Sequence, residues 1–129
     1  MSKYVKSYGP RLQGGLAAET LAVGDLVNLS AAGTWELADA DGAAGLRIAT
    51  GVCTMAAVVT GITEVCSRAI IGGGTGLTVG APLYLSATAG APTETAPTGA
   101  FHTIQCVGYN LNATTQVFNI APQAYLRPS

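Results

Sequence analysis

The sequence predicts an all-β protein, a small β-barrel or β-sandwich built from two copies of one unit, with an extended N-terminal arm. The segment from Leu21 to Gly33 has a near copy from Leu77 to Gly90. Short apolar runs alternate with glycine- and serine-containing breaks, as in strands joined by turns. The chain is 49% hydrophobic but only 6% aromatic, so small and β-branched aliphatic side chains, which suit strands, carry the core.

The internal repeat is the strongest of these observations. After one inserted residue Gly51 aligns with Gly108, and after a shortening of the second copy Thr63–Val65 aligns with Thr115–Val117. A unit of about 50 residues, spanning 21–71 and 77–120, is therefore predicted. The alternative is two unrelated hairpins with similar turn chemistry. The ungapped matches pair Leu21, Val23, Gly24, Leu29, Ser30 and Ala31 with Leu77, Val79, Gly80, Leu85, Ser86 and Ala87.

The length of 129 residues suits a single domain, which we place at residues 16–121. Residues 1–15 are polar, carry Tyr4 and Tyr8 between basic residues and end in two glycines, so they are predicted to form an extended arm. The arm is either an unattached terminus or a segment that docks on another subunit, where tyrosine and arginine make good anchors. Residues 122–129 form a short tail.

Four strands are predicted in the first copy. Leu26–Ser30 is followed by Thr34–Leu37, which can pair back with it as a hairpin. Leu46–Cys53 is the third strand, with a bulge expected at its Gly51. Glu64–Ile71 is the fourth, and its alternation places Val65, Ser67 and Ala69 on one face.

The second copy repeats this order with a longer loop. Strands are predicted at Leu83–Leu85, Phe101–Leu111 and Gln116–Ile120. Between the first two lies a loop from Ala89 to Ala100, whose prolines prevent it from pairing as a central strand. In the first copy, Met55–Ile62 has no counterpart, and its pattern fits either a strand or a short helix.

Charge is scarce in this chain. Only 10% of the residues are charged, against about a quarter in an average domain, which predicts a surface covered by neighbouring subunits. A net charge of −1 provides no field for nucleic acid or an anionic membrane. The N-terminus has no apolar segment of signal-peptide type, and we expect synthesis in the cytoplasm.

No active site is predicted. His102 is the only histidine, and a triad written from Ser86, His102 and Asp39 lacks a nucleophile-elbow motif. Asp39 and Asp41 have the spacing of the first calcium-loop ligands but not the later ones. We therefore expect no enzyme activity, no cofactor and no metal.

Three further features have structural interpretations. The odd number of cysteines, Cys53, Cys66 and Cys106, without a Cys-x-x-Cys motif predicts buried free thiols. The run Gly72–Gly76 lacks the lysine of a phosphate-binding loop and is predicted to be a connector. Trp35, the only tryptophan, is expected in the core, although an interface is the alternative.

The motifs of the repeat resemble those of small structural proteins of tailed bacteriophages. The segment Leu77–Ser86, followed by Ala89-Gly90, by Thr95–Gly99 and by Val107-Gly108, is similar to one common in capsid decoration (cement) proteins. Similar segments occur in tail-fibre and baseplate-associated proteins. The resemblance spans Leu21 to about Ile120.

This resemblance implies a function. It implies a virion protein that binds the outside of the assembled capsid and bridges major capsid subunits, and it favours a homotrimer. The alternative is a tail-fibre, head-fibre or baseplate-associated protein. Residues outside the expected core, in the arm and the tail, are the candidates for partner contact: Tyr4, Tyr8, Arg11, Tyr125 and Arg127.

Overall fold

A computed structural model describes residues 3–12, 14–41, 47–99, 102–121 and 125–126. These residues form strands and turns without a helix, which confirms the all-β class. The strands are β1 Tyr4–Tyr8, β2 Gly15–Leu16, β3 Leu26–Leu29, β4 Trp35–Leu37, β5 Gly51–Cys53, β6 Ile62–Thr63, β7 Val65–Cys66, β8 Arg68–Gly72, β9 Pro82–Leu85, β10 Pro92–Thr93, β11 Thr103–Ile104, β12 Cys106–Asn112, β13 Thr115–Asn119 and β14 Tyr125–Leu126.

The strands assemble into open antiparallel sheets. The large sheet has the strand order β1-β8-β13-β12-β9-β10, and the small sheet has the order β4-β3-β5-β7. Two ribbons pair β2 with β6 and β11 with β14. Each order ends in two edge strands, so none of these sheets closes into a barrel and the barrel alternative is wrong.

The two main sheets share one apolar core. Leu26 and Val52 of the small sheet lie in the same buried cluster as Leu83, Leu85 and Phe118 of the large sheet. Side chains alternate between the two faces of a strand, so one face of each sheet supplies this core. The sheets therefore form two layers around a common interior, as in a sandwich.

The opposite face of the small sheet is covered by the chain itself. The segment before β3 lies across it, where the Ala18 amide donates to the Trp35 carbonyl at 2.7 Å. Trp35 is only 2% exposed, which confirms its predicted core position. This second buried cluster comprises Ala17, Leu21, Val27, Trp35, Cys53 and Val65.

Part of the predicted arm belongs to the large sheet. Tyr4–Tyr8 is extended, but it pairs with β8 as an edge strand instead of projecting from the domain. Val5 packs against the shared core, while Tyr4 and Tyr8 remain exposed. The pairing shifts register between Val5 and Ser7, at Lys6, and a lysine at a bulge is typical of a protected edge strand.

The predicted strand Glu64–Ile71 is divided between the sheets. β7 pairs with β5 in the small sheet, and β8 pairs with β13 in the large sheet. The chain crosses from one layer to the other at Ser67, so the predicted alternation does not hold across that residue. Strands that change sheets in this way form the corners of sandwiches.

Other expectations are corrected by tertiary packing. Met55–Gly61 is a loop and not a helix, and Ile62 begins β6. Cys53 and Cys66 are buried as predicted, but Cys106 is exposed. A register shift between Cys106 and Gly108 gives the inward position to Val107, which is fully buried.

The aligned segments carry matching strand pairs. Val27 pairs with Gly51 in the small sheet, and Leu83 pairs with Gly108 in the large sheet. At both glycines an added Cβ would collide with the neighbouring strand. At Gly51 it would meet the side chain of Val65, and at Gly108 the carbonyl of Val117. Gly51 is therefore required for close approach and not for the bulge that we predicted. Two further matching pairs are Leu29–Trp35 with Leu85–Pro92 and Asn28–Glu36 with Tyr84–Thr93.

A buried amide links the layers at the centre. Gln105 is 1% exposed, and its Nε2 donates to the carbonyls of Ala49 at 2.8 Å and Ala121 at 3.0 Å. Its Oε1 accepts from the Ala49 amide at 2.7 Å. The Leu85 amide donates to the Gln105 carbonyl at 3.0 Å, so one residue joins the large sheet to the segment that leads into β5 of the small sheet.

We predict that Gln105→Leu lowers the free energy of unfolding by about 2–5 kcal/mol, because both backbone groups of Ala49 lose their buried partner. Urea unfolding followed by the fluorescence of Trp35 measures the loss. The control is Gln116→Leu, since Gln116 is also buried but makes no side-chain hydrogen bond within the described residues. Equal losses in the two variants would contradict the central role of Gln105.

Candidate functional site

An open cleft of about 350 Å³ lies on the outer face of the large sheet. Strand register places its floor, because Ser7 lies opposite Ile70, Ile70 opposite Val117, and Val117 opposite Tyr109. These residues alternate with Ala69 and Phe118, which face the shared core. We call this the tyrosine cleft, and it is lined by Ser7, Tyr8, Gly9, Arg68, Ala69, Ile70, Tyr109, Val117, Phe118 and Asn119.

Two predicted contact residues meet beside the cleft. The Arg11 guanidinium donates to the Tyr8 hydroxyl at 3.4 Å and lies 5.5 Å from the centre of its ring. The Glu64 carboxylate lies 3.4 Å from Arg11 Nε. The bond to Tyr8 and the charge of Glu64 raise the pKa of Arg11, so the guanidinium stays charged beside an exposed aromatic ring.

Arg68 occupies the same edge of the sheet. A Cβ added at Gly9 would lie 3.1 Å from Arg68 Nε, so the arginine passes directly over the glycine backbone. The Gly9 amide donates to the Arg68 carbonyl at 2.8 Å, which holds the two residues together. Within the part of the chain that the structure describes, the Arg68 side chain has no ion pair or hydrogen bond.

The remaining predicted contact residues differ in position. Tyr4 is 47% exposed and its ring lies against Gly72, where an added Cβ would come within 2.7 Å of the ring. The structure thus brings Tyr4, Tyr8 and Arg11 to one edge of the large sheet. Tyr125 is part of β14, but its side chain and Arg127 lie outside the described residues.

A second exposed apolar surface, the aliphatic patch, lies beyond the small sheet. Hydrogen bonds fix its loop, because Ala17 donates to the Gly61 carbonyl and accepts from the Thr60 amide, each at 2.8 Å. Thr60 adopts a positive φ of 65°, which turns the chain between the two bonds. The patch comprises Leu16 at 48% exposure, Met55 at 43%, Val58 at 68%, Val59 at 53% and Ile62 at 69%.

Sequence reasoning missed both surfaces. Ile70, Tyr109 and Val117 come from three strands, and only their register makes them neighbours. A signal for the aliphatic patch existed, since Met55–Ile62 contains no charged residue and no alternation that would bury half of it. We interpreted that pattern as regular secondary structure instead of exposed apolar surface.

The structure also places the residues considered for catalysis. His102 Nε2 lies 3.2 Å from Asp41 and not beside Asp39. Ser86 Oγ accepts from the Thr88 amide at 2.9 Å, and no hydrogen bond joins it to His102 within the described residues. His102 Nδ1 is buried without a partner there.

The described residues hold no group of three histidine, cysteine or acidic side chains able to bind a metal ion. Among them no helix has the length and apolarity needed to cross a bilayer. Comparisons with family models, with curated proteins and with solved structures find no match to this chain.

Proposed function

We propose that this chain is a virion structural protein that binds the outside of the assembled capsid and bridges major capsid subunits. The observation that carries the proposal is the pair of exposed apolar surfaces on one small domain. The tyrosine cleft lies outside the large sheet, and the aliphatic patch lies outside the cover of the small sheet. One surface can contact a capsid subunit while the other joins copies of this chain, so an oligomer of such domains would hold several capsid subunits together, as bridging requires.

The tyrosine cleft and its edge suit the capsid contact. Tyr4, Tyr8 and Arg11 are exposed together there, and tyrosine and arginine are the residue types that dominate binding energy at protein interfaces. If the capsid surface offers this contact only after assembly, binding stabilises the assembled lattice by mass action. Many copies on one lattice add avidity to weak individual contacts.

The aliphatic patch suits contact between copies of this chain. Interfaces within homo-oligomers are more apolar and poorer in charge than other protein surfaces, and the five patch residues are all aliphatic or Met. The resemblance to decoration proteins favours a trimer. In such an assembly, three clefts would face the capsid together.

The proposal includes duplication of one unit. The matching pairs of Val27 with Gly51 and of Leu83 with Gly108 support it. Cys53 pairs with Val65 in the small sheet, and Asn110 pairs with Gln116 in the large sheet. Strand register therefore makes Val65 the counterpart of Gln116. This differs by one residue from the alignment of the sequences. In the first copy the outer face is covered by chain, and in the second it forms the cleft.

A capsid-binding measurement tests the function. Expanded capsids that lack this protein are mixed with purified wild-type chain, and their melting temperature is recorded. We predict a higher melting temperature with wild type, and a dissociation constant at least about tenfold weaker for the Tyr8→Ser, Arg11→Ser double variant. Point changes are preferable to deleting residues 1–15, because the deletion would remove β1 from the sheet.

The matched control is Arg47→Ser, since Arg47 is paired with Glu36 away from the cleft. It should stabilise capsids as wild type does. Wild-type chain that neither binds capsids nor raises their melting temperature would refute the function. Purified tails that bind it instead would favour the tail-fibre or baseplate alternative.

We predict that Val58→Asp with Ile62→Asp converts the oligomer to monomer, because two charges would be desolvated in an apolar interface. Both side chains are largely exposed in the single chain, so its fold should be unaffected. Size-exclusion chromatography with light scattering gives the mass. The control is Val79→Asp, equally exposed at 67% but outside the patch. A monomeric wild type, or an oligomer that survives the double change, would contradict this assignment.

A further inference from the structure

The tyrosine cleft combines an apolar floor with polar groups at one end. Ile70 and Val117 form the floor beside the exposed Tyr109, and Tyr8 lies at the rim, where its pairing with Ala69 directs its side chain away from the floor. Arg68 and Asn119 line the end. A volume of about 350 Å³ lies at the lower end of the range for ligand pockets, and it suits one large side chain with its flanking backbone.

Arg68 is positioned to receive a negative charge. Its side chain passes over Gly9, where an added Cβ would lie 3.1 Å from Nε, and it has no partner within the described residues. A guanidinium presents paired donors that match the two oxygens of a carboxylate. An unpaired arginine beside an apolar floor therefore indicates a ligand that carries both an apolar group and an acid.

Arg68 is the one charged residue among those that line the cleft, and further cations lie near it. Lys6 on β1, Arg11 after it and Arg68 on β8 are all exposed cations. Glu64 is the acid that approaches them, and it is engaged by Arg11 at 3.4 Å. The edge is therefore complementary to an acidic segment, even though the chain as a whole has a net charge of −1.

We propose that the cleft binds a protein segment in which an aromatic or large aliphatic side chain adjoins an aspartate or glutamate. The apolar side chain lies on Ile70 and Val117 beside the Tyr109 ring, and the carboxylate pairs with Arg68. This deepens the proposed function, because it states which chemistry the capsid contact would offer. Neutral carbohydrate is the weaker ligand, since it offers no negative charge to Arg68.

Binding of short peptides to the full chain tests the cleft without any capsid. The probes are a capped peptide with phenylalanine followed by glutamate, and the same peptide with glutamine. Titration is followed by ¹H–¹⁵N NMR. We expect shifts at the amides of Ile70, Tyr109 and Val117, and an affinity for the glutamate peptide about threefold higher, the value of one solvent-exposed ion pair.

Two variants assign the preference to Arg68. Arg68→Met should remove the difference between the peptides while keeping weak binding of the phenylalanine. Gly9→Ala should leave most of the difference in place, because its methyl group would lie 3.1 Å from Arg68 Nε and shift the side chain only slightly. Arg47→Met is the control and should behave as wild type. NMR spectra of the free variants verify that each is folded.

Three outcomes would overturn the inference. They are equal affinity for the two peptides, shifts centred away from the cleft, and shifts at the cleft with a neutral oligosaccharide such as maltohexaose but not with the peptides. The inference and the proposed function can fail separately. Capsid binding that is insensitive to Arg68→Met overturns the inference alone, whereas peptide binding in the cleft without any capsid binding supports it and removes the proposed partner.

Discussion

The buried amide of Gln105 is the interaction on which the architecture depends. It satisfies both backbone groups of the fully buried Ala49 and the carbonyl of Ala121. Its own carbonyl holds Leu85 of the large sheet. An unpaired backbone group of the buried Ala49 would cost about as much as a lost hydrogen bond, so Gln105 ties the segment that leads into β5 to the large sheet. One face of each sheet packs into the shared core, and the opposite face of each sheet is left to be shielded from solvent by other parts of the chain.

The chain covers only one of those faces. Ala17 and Leu21 close the outer side of the small sheet over Trp35, and the loop that completes this cover presents the aliphatic patch. The outer side of the large sheet receives no such segment from the described residues, so Ile70, Val117 and Tyr109 line an open cleft. Both binding surfaces in our proposal thus follow from this difference. The segment that covers the small sheet presents the aliphatic patch, and the uncovered face of the large sheet forms the cleft.

Local patterns predicted much of the fold. The strand around Leu26–Leu29, its hairpin with Trp35–Leu37 and the buried Trp35 follow from alternation and turn residues close in sequence. Features that depend on distant partners were missed: β1 pairs with a strand more than fifty residues away, and the chain changes sheets at Ser67. Cys106 was wrongly predicted to be buried. The sequence carries no signal of the bulge at Val107, which gives the inward position to Val107 instead. The cleft forms only when three strands pair in register, which the sequence does not reveal. Tyr8 was a candidate for partner contact because it lies in the arm, whereas Arg68 lies in a predicted strand and was not considered.

The central claim is that this chain is a decoration protein, and the location of the chain in the virion tests it most directly. Purified virions are gently disrupted, heads are separated from tails, and the chain is quantified in each fraction by mass spectrometry against the major capsid protein. The proposal predicts that the chain remains with the heads, in a ratio near one copy per capsid subunit. A few copies confined to the tails would contradict it and would make the tyrosine cleft a contact for another tail protein.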